Sequence, residues 1–410
     1  MQVLEPLFEK ALKVESPWKI TKIDFQEQQK RLYIDLDFPE GSLFPCSRCG
    51  NPAKAYDTKI KTWRHLNFFQ YECHLRVRMP RTNCAQDGAL RVAAPWARPD
   101  ADFTLLFESF AMTLCREMPV NKVSKIIGVD DNKLWRMMRH YVDSAREKAD
   151  YSKTTKIGTD ETSKSKGHDY VSLFVDLEEK KTIFVAEGKG SETVVAFTAD
   201  LQAHGGKPEN ITDVSIDMSP AFIKGVKENL PHAEITFDKF HVMKIINKAV
   251  DTVRKTESEE QKILIGHKYL FLKNRENLTD KQREALRAIE SQPRMNLKTV
   301  RAYHIRENFQ DIYKEYERAG FERALKKWYF WATHCRIPII IEAATTIKNH
   351  WSGVLRWFES KVNNGILEGL NSLVQAAKAK ARGYRTFVNY RTIIYMLTGK
   401  LDYSKAGLPT

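Results

Sequence analysis

Apolar and polar residues alternate through Trp18-Lys19-Ile20-Thr21-Lys22-Ile23 and again through Leu32-Tyr33-Ile34-Asp35-Leu36. Alternation puts every second side chain on one face, so it predicts two short strands, joined through the polar run Gln26-Glu27-Gln28-Gln29-Lys30. After residue 100 the period lengthens. Leu105, Leu106, Phe110 and Met112 form one apolar segment, and Val120, Val123, Ile126 and Ile127 recur at helical spacing. Gly128 interrupts the pattern before Leu134, Trp135, Met138 and Tyr141 resume it. Helix, glycine turn, helix is the outline of a helix-turn-helix.

From 154 to 237 the pattern predicts strands at 155–160, 169–176, 181–187, 212–217 and 233–237, with helices at 191–204, 219–229 and 239–254. Three strands, a helix and then alternation predict a mixed sheet with flanking helices. Residues 255–345 read as helical throughout and as an insertion. Residues 346–358 and 364–381 read as further helices. Residues 41–98, rich in Cys, Pro, Arg and Gly, read as a small, loop-rich module that needs a staple because it buries little core of its own.

Composition narrows the class. A chain of 410 residues suggests two to four units, and its formal net charge of +14 points to a polyanion, most simply nucleic acid. No run of 18 apolar residues occurs, so no membrane helix is expected. Met1-Gln2-Val3-Leu4-Glu5-Pro6 lacks a secretion signature. Six cysteines, two of them in Cys46-x-x-Cys49, suit a reducing cytoplasm and a metal site rather than a disulfide framework. Cys115 and Cys335 fall in apolar helical stretches and are expected to be buried.

Three acids carry the candidate chemistry. Asp160 ends Lys156-Ile157-Gly158-Thr159-Asp160, and Asp217 ends Val214-Ser215-Ile216-Asp217. Glu368 stands in Asn364-Gly365-Ile366-Leu367-Glu368-Gly369-Leu370-Asn371-Ser372, at the start of a helical, basic stretch. Carboxylates at strand ends gather at the rim of a sheet, and oxygen ligands of this kind hold Mg²⁺ or Mn²⁺. Two such ions about 3.5–4 Å apart support phosphodiester cleavage. Glu161 follows Asp160 directly, and strand alternation lets only one of them face the site. Asp160 is favoured, because Glu161 opens the polar run Thr162-Ser163-Lys164-Ser165-Lys166. Around Glu368 lie Lys361, Lys378, Lys380, Arg382, Arg385 and Arg391. Lys378, Arg382 and Arg385 share one face if the helix continues that far, a face suited to a DNA backbone; Gly383 is the alternative stop.

The runs Gly158-Thr159-Asp160-Glu161, Ile216-Asp217-Met218-Ser219-Pro220, Phe237-Asp238-Lys239-Phe240-His241 and Asn364-Gly365-x-x-Glu368-Gly369-x-Asn371-Ser372 resemble those of bacterial insertion-sequence transposases, the ISL3 group of the DDE class. The similarity extends into Ala379-Lys380-Ala381-Arg382-Gly383-Tyr384 and covers nearly the whole chain. It implies an α/β, mixed, multidomain protein. An RNase H-like catalytic domain with a helical insertion follows a small zinc-binding module and a helix-turn-helix. It also implies that Asp160, Asp217 and Glu368 are the metal-binding triad. Asp217 follows Asp160 by 57 residues and Glu368 follows Asp217 by 151, and the long second gap fits the insertion. The expected segments are N-terminal strands 1–40, zinc module 41–98, helix-turn-helix 99–150, catalytic domain 151–254 and 346–410, and helical insertion 255–345. His241 matches a family position, and a helix start capped by Asp238, or a DNA contact, is expected there.

Cys46-Ser47-Arg48-Cys49 supplies two thiolates for one side of a tetrahedral Zn²⁺. Cys84-Ala85-Gln86-Asp87 has the spacing of the second half, but similar transposases carry Cys or His where Asp87 stands. Cys73, His74 and His65 are the other candidates, although Cys73 lies in an alternating run, Tyr71 to Met79, that reads as a strand. Any metal here is structural. In the second helix of the helix-turn-helix, Asp130 or Asp131 is placed to cap, and Lys133, Arg136 and Arg139 lie along the side suited to DNA contact. The expected activity is recognition of an element's terminal inverted repeats, strand cleavage and strand transfer. The expected setting is a bacterial, nucleoid-associated cytoplasmic dimer or larger synaptic assembly. The competing expectation is a domesticated, inactive DNA-binding regulator.

Overall fold

The computed structural model describes residues 4–12, 14–164, 169–292, 296–360 and 365–404. They divide into two compact units, one ending at Arg146 and taking in the chain from Leu401, the other spanning Glu147–Lys400.

In the first unit α1 (Leu4–Leu12) precedes six strands: β1 (Lys19–Gln26), β2 (Arg31–Asp37), β3 (Leu43–Pro45), β4 (Pro52–Arg64), β5 (Glu72–Cys84) and β6 (Gly88–Arg91). They form one sheet in the order β1-β2-β5-β4-β3, with β6 on β5. The two predicted strands are therefore β1 and β2, and β2 pairs in parallel with β5. The cysteine-bearing segment is not loop-rich: β4 and β5 are thirteen residues each. The outward positions of β5 carry arginines bonded to acids on neighbouring strands. Arg76 Nε donates to Asp35 Oδ1 at 2.5 Å and Arg78 Nε to Asp37 Oδ1 at 2.7 Å. Inward, Cys73, Leu75, Val77 and Met79 join Trp18, Phe44 and Trp63 in one core.

The same unit holds α2 (Leu105–Glu117), α3 (Val120–Ile127) and α4 (Asp131–Arg146). Gly128 ends α3 at φ 66°, the left-handed conformation that glycine adopts without strain. The Asp130 carboxylate accepts from the Asn132 N–H at 3.0 Å and so caps α4. Buried Glu108 accepts from Arg98 Nε at 3.0 Å and from the Tyr141 hydroxyl at 2.6 Å, so its charge is paired where it leaves water. Cys115, in α2, is buried, as is Cys335 in the second unit.

The second unit is built on β7 (Lys156–Ser163), β8 (Tyr170–Asp176), β9 (Lys181–Glu187), α5 (Glu192–Ala203), β10 (Asp213–Ile216), α6 (Pro220–Asn229), β11 (Glu234–Phe237) and α7 (Lys239–Glu260). Its sheet runs β11-β10-β7-β8-β9. β7, β8 and β9 are antiparallel, while β10 and β11 continue in parallel from β7. This mixed order, with helices on the crossovers, is the RNase H-like arrangement. All five strands fall where the hydrophobic pattern predicts them, but β7 runs three residues past the expected end at Asp160 because residues 161–163 stay paired with β8.

The helical stretch then comprises α8 (Lys268–Leu272), α9 (Asp280–Glu290), α10 (Lys298–Ile312), α11 (Arg318–Thr333) and α12 (Pro338–Asn349). Its Leu264, Phe271, Tyr303, Phe309 and Trp328 belong to the same core as Ile157, Val214 and Ile216 of the sheet. α13 (Trp351–Ser360), α14 (Gly365–Ala381) and α15 (Phe387–Thr398) close the unit. The helical pattern did not anticipate α15. It packs on β9, where the Thr398 hydroxyl meets that of Thr182 at 2.8 Å.

Candidate active site and metal centres

Strand register brings the first two acids together. β10 pairs with β7 at a constant offset of 57 positions, from Asp213 opposite Lys156 to Ser215 opposite Gly158. Carried two residues further, that offset sets Asp217 level with Asp160. β10 pairs with β11 at an offset of 21, from Asp213 opposite Glu234 to Ile216 opposite Phe237. One further step sets Asp238 level with Asp217. Neighbouring strands lie about 4.8 Å apart and level residues share a face, so the three aspartates fall in a row where β10 and β11 end, three residues short of the end of β7.

Local hydrogen bonds fix each member. Asp217 Oδ1 accepts from the Ser219 N–H at 2.8 Å, a turn that leads into α6 at Pro220. Asp238 Oδ1 accepts from the Phe240 N–H at 2.9 Å and caps α7, as expected of this residue. Asp160 Oδ1 accepts from the Glu161 N–H at 2.8 Å, and its Oδ2 from Asn371 Nδ2, also at 2.8 Å.

That last bond comes from α14, which carries Glu368 in its first turn. A carboxylate there meets the positive end of the helix dipole. The helix lies along β7 because Gly158 leaves room for it: a Cβ on Gly158 would sit 2.8 Å from Leu367 Cδ1. Leu367 packs with Val175 and Leu177. Further along the same face, Gln375 bonds the Thr162 hydroxyl and Lys378 Nζ bonds the Ser163 carbonyl. Asp160, Asp238, His241, Glu368 and Asn371 line one cavity of about 330 Å³. Glu161 and Asp217 are not on its wall, but their carboxylates are close enough to interact: burial raises the Glu161 pKa, and Asp217 and Asp160 push it the same way.

His241 Nδ1 stands 3.3 Å from Asp238 Oδ2. Asp238 raises the imidazole's pKa against the opposing effect of burial, and Asp160 and Asp217 add to the rise. Asp238 and Asn371 were not singled out as site residues from sequence. The signal for Asp238 was present: Phe237-Asp238 ends a strand as Ile216-Asp217 does. Asn371, three residues after Glu368, stood in the motif around that acid but was given no role.

The oxygen-only donor set of Asp160, Asp217 and Glu368 fits hard divalent cations, which take carboxylates and keep several waters. Asp160 and Glu368 line the open cavity while Asp217 lies off its wall, and the three acids do not bring their ligand atoms within 4.8 Å of one another. Among the basic candidates, Lys378 is half-buried against Ser163. The helix ends at Ala381, with Arg382 at φ 59° and Gly383 at φ 94°, so the single helical face reaching Arg385 does not form. Arg382 and Arg385 are exposed beyond the helix end. Asn364 and Lys361 lie outside the described residues.

In the first unit, Cys46, Cys49, Cys84 and Asp87 bring four ligand atoms within 4.8 Å of one another, the one such group among the described residues. Cys49 Sγ lies 3.5 Å from Cys84 Sγ, and Asp87 Oδ2 lies 3.5 Å from Cys46 Sγ and 3.8 Å from Cys84 Sγ. A zinc tetrahedron with Zn–S near 2.3 Å has edges of about 3.8 Å, so the cluster fits a structural Zn²⁺. Two tight turns present it: the Cys46 carbonyl accepts from the Gly50 N–H at 3.0 Å, and Cys84 pairs with Gly88 across the β5–β6 hairpin. The other fourth-ligand candidates are elsewhere. Cys73 is in the sheet core, His65 Nδ1 meets the Thr104 hydroxyl at 2.8 Å, and His74 stacks on Tyr33.

On α4, Arg136 is exposed, Lys133 Nζ pairs with Asp102 at 3.0 Å, and Arg139 Nε donates to the Trp135 carbonyl at 3.2 Å.

Three family profiles match in the chain's own order. Residues 42–87 match the zinc finger of the IS204/IS1001/IS1096/IS1165 transposases, residues 92–142 the helix-turn-helix domain of transposase family ISL3, and residues 157–394 the ISL3 DDE transposase domain. The transposase for insertion sequence element IS1557 of Mycobacterium tuberculosis is 27% identical across 93% of this chain and 92% of its own length. The transposase for IS1001 of Bordetella parapertussis is 26% identical across 89% and 91%. With the mixed sheet, the cysteine cluster and the acidic rim in one chain, these matches settle its kinship: it belongs to the ISL3 family of DDE transposases.

Proposed function

We propose that the chain binds the terminal inverted repeats of an insertion sequence, cuts the DNA strand there and joins the freed end to target DNA. The row of Asp160 and Asp217 on neighbouring strands, with Glu368 delivered by a helix seated on β7, carries this reading. Asp160, Asp217 and Glu368 would hold two Mg²⁺ or Mn²⁺. Such ions activate the attacking hydroxyl and stabilise the leaving oxygen. Asn371 holds the Asp160 carboxylate in one orientation, and the seating of Leu367 on Gly158 keeps Glu368 at the rim.

In cleavage, water attacks phosphorus and the 3′ oxygen leaves, giving a 3′-hydroxyl and a 5′-phosphate. In transfer, that hydroxyl attacks a target phosphodiester and displaces a new 3′-hydroxyl. Neither step needs a covalent protein intermediate. Arg136, with Lys133 and Arg139, contacts DNA from α4; Lys378, Arg382 and Arg385 serve the strand near the carboxylates. Cys46, Cys49, Cys84 and Asp87 hold the structural zinc. The zinc module takes 41–98, the helix-turn-helix 99–150, and the catalytic domain 151–254 and 346–410 around the helical insertion. Joining two ends calls for a homodimer or a larger synaptic assembly, acting at the nucleoid in the cytoplasm.

The test incubates purified protein with its own element's end and Mg²⁺ or Mn²⁺. Nicking by wild type that is lost in Asp217→Ala is expected. Equal nicking by both proteins refutes the catalytic assignment, and tight binding without nicking by either favours an inactive regulator.

A further inference from the structure

A second cavity opens beside the carboxylates. It holds about 980 Å³ and shares Asp238, Phe240 and Glu368 with the smaller one. Its far wall includes Tyr313 and Tyr316, between α10 and α11, and Trp357 of α13. Pockets for small ligands run to roughly 300–1,000 Å³, so a nucleotide fits with room to spare. Volume alone selects no ligand, but the chemistry of the wall does.

Two large rings on that wall face water. Phe240 is 54% exposed and Tyr316 is 95% exposed, and no packing accounts for so bare a tyrosine. A cation already rests on the deeper rings: Lys239 Nζ lies 4.6 Å from the Tyr313 ring centroid and 5.8 Å from that of Trp357. Lys314 stands on the same wall. Open π-faces suit flat bases, and ammonium groups suit the phosphates between them. The carboxylates of the smaller cavity are on the shared rim, so a phosphodiester held there hangs its neighbouring base over the larger opening.

In a duplex that base is stacked and cannot reach a ring. We propose that this cavity receives one unstacked nucleobase of the DNA strand being cut, next to the phosphodiester held at Asp160 and Glu368, with Phe240 and Tyr316 as its stacking surfaces. The inference rests on the catalytic reading in placing the cut strand at those carboxylates. Stacking on aromatic faces offsets the loss of base stacking and tolerates any base. The site therefore positions the strand without reading its sequence.

The full chain would be titrated, in Ca²⁺, against duplexes of its element's end carrying a single 2-aminopurine at successive positions around the cut. Fluorescence at one or two positions adjoining the cut should rise on binding. Phe240→Ala and Tyr316→Ala, both at exposed positions, should abolish the rise and weaken binding roughly 5- to 100-fold, with unchanged melting temperature. No rise at any position, or a rise that survives both substitutions, overturns the proposal. Cutting in Mg²⁺ with no rise sinks this proposal and leaves the catalytic reading standing. A substitution-sensitive rise in a protein that never cuts does the reverse.

Discussion

Asn371 Nδ2 donates to Asp160 Oδ2 at 2.8 Å, joining two residues 211 positions apart. One is within the central strand β7 and the other on the helix that carries Glu368, so a single amide ties two of the three acids into one frame. Groups that orient a metal ligand typically contribute 10- to 100-fold in affinity or activity. Asn371→Ala is expected to lower cleavage by about that factor and to raise the Mg²⁺ concentration for half-maximal rate, leaving end-DNA binding unchanged. Gel-shift and cleavage titrations on the same preparation separate the two, and a proportional loss of binding would remove the positioning role.

At Gly158, α14 leaves no room for a side chain on the sheet. Gly158→Ala would press a methyl group against Leu367 at 2.8 Å, and overpacking of this kind costs about 1–3 kcal/mol. Urea unfolding should register that loss. Leu367→Ala in the same chain should recover part of it, while additive losses would mean that the two side chains do not meet.

The Asp238–His241 pair gives stability a pH dependence. Asp238 raises the imidazole's pKa above its ordinary 6.5, so the folded state binds the proton more tightly than the unfolded chain. The stabilisation is complete below the unfolded value and fades as pH climbs through the folded one. The gap in melting temperature between wild type and His241→Ala should be wider at about pH 5.5 than at about pH 8.5. A gap that is constant or widens with pH contradicts the pairing.

The cysteine cluster should bind one zinc per chain, measured by elemental analysis. Cys49→Ser should lose it and lower the melting temperature of the N-terminal unit by more than about 5 °C. Asp87→Cys, which completes a four-thiolate set, should slow zinc release to a chelator. Full zinc occupancy in Cys49→Ser would exclude that thiol as a ligand.

The catalytic sheet was legible because its strands are short β-prone segments between turns, with β8 and β9 strongly apolar. β4 and β5 were not. The outward arginines of β5, Arg76, Arg78 and Arg81, have their partners Asp35, Asp37 and Asp57 on other strands, 24 to 41 positions away. The run of Cys, Pro and Arg therefore suggested loops. Asp160, Asp217 and Glu368 could be named from their motifs, but their spatial relation could not be read along the chain. It depends on pairing offsets and on how closely α14 approaches β7. Asp238 and Asn371 stood in the family motifs, but their places beside Asp160 depend on the same strand pairing and helix approach. The end of α14 turned on Gly383, and the chain breaks there before Arg385 can join the helical face.

The acidic row also says where the chain can change length. Insertions in the turns joining its strands change the numerical offsets but leave the ladder pairing intact and the aspartates side by side. Removing one residue from β10 while its hydrogen bonds hold would carry Asp217 to the opposite side of the sheet. In this family, length variation should therefore collect in the connectors, with the strand segments that lead to the acids serving as fixed rulers.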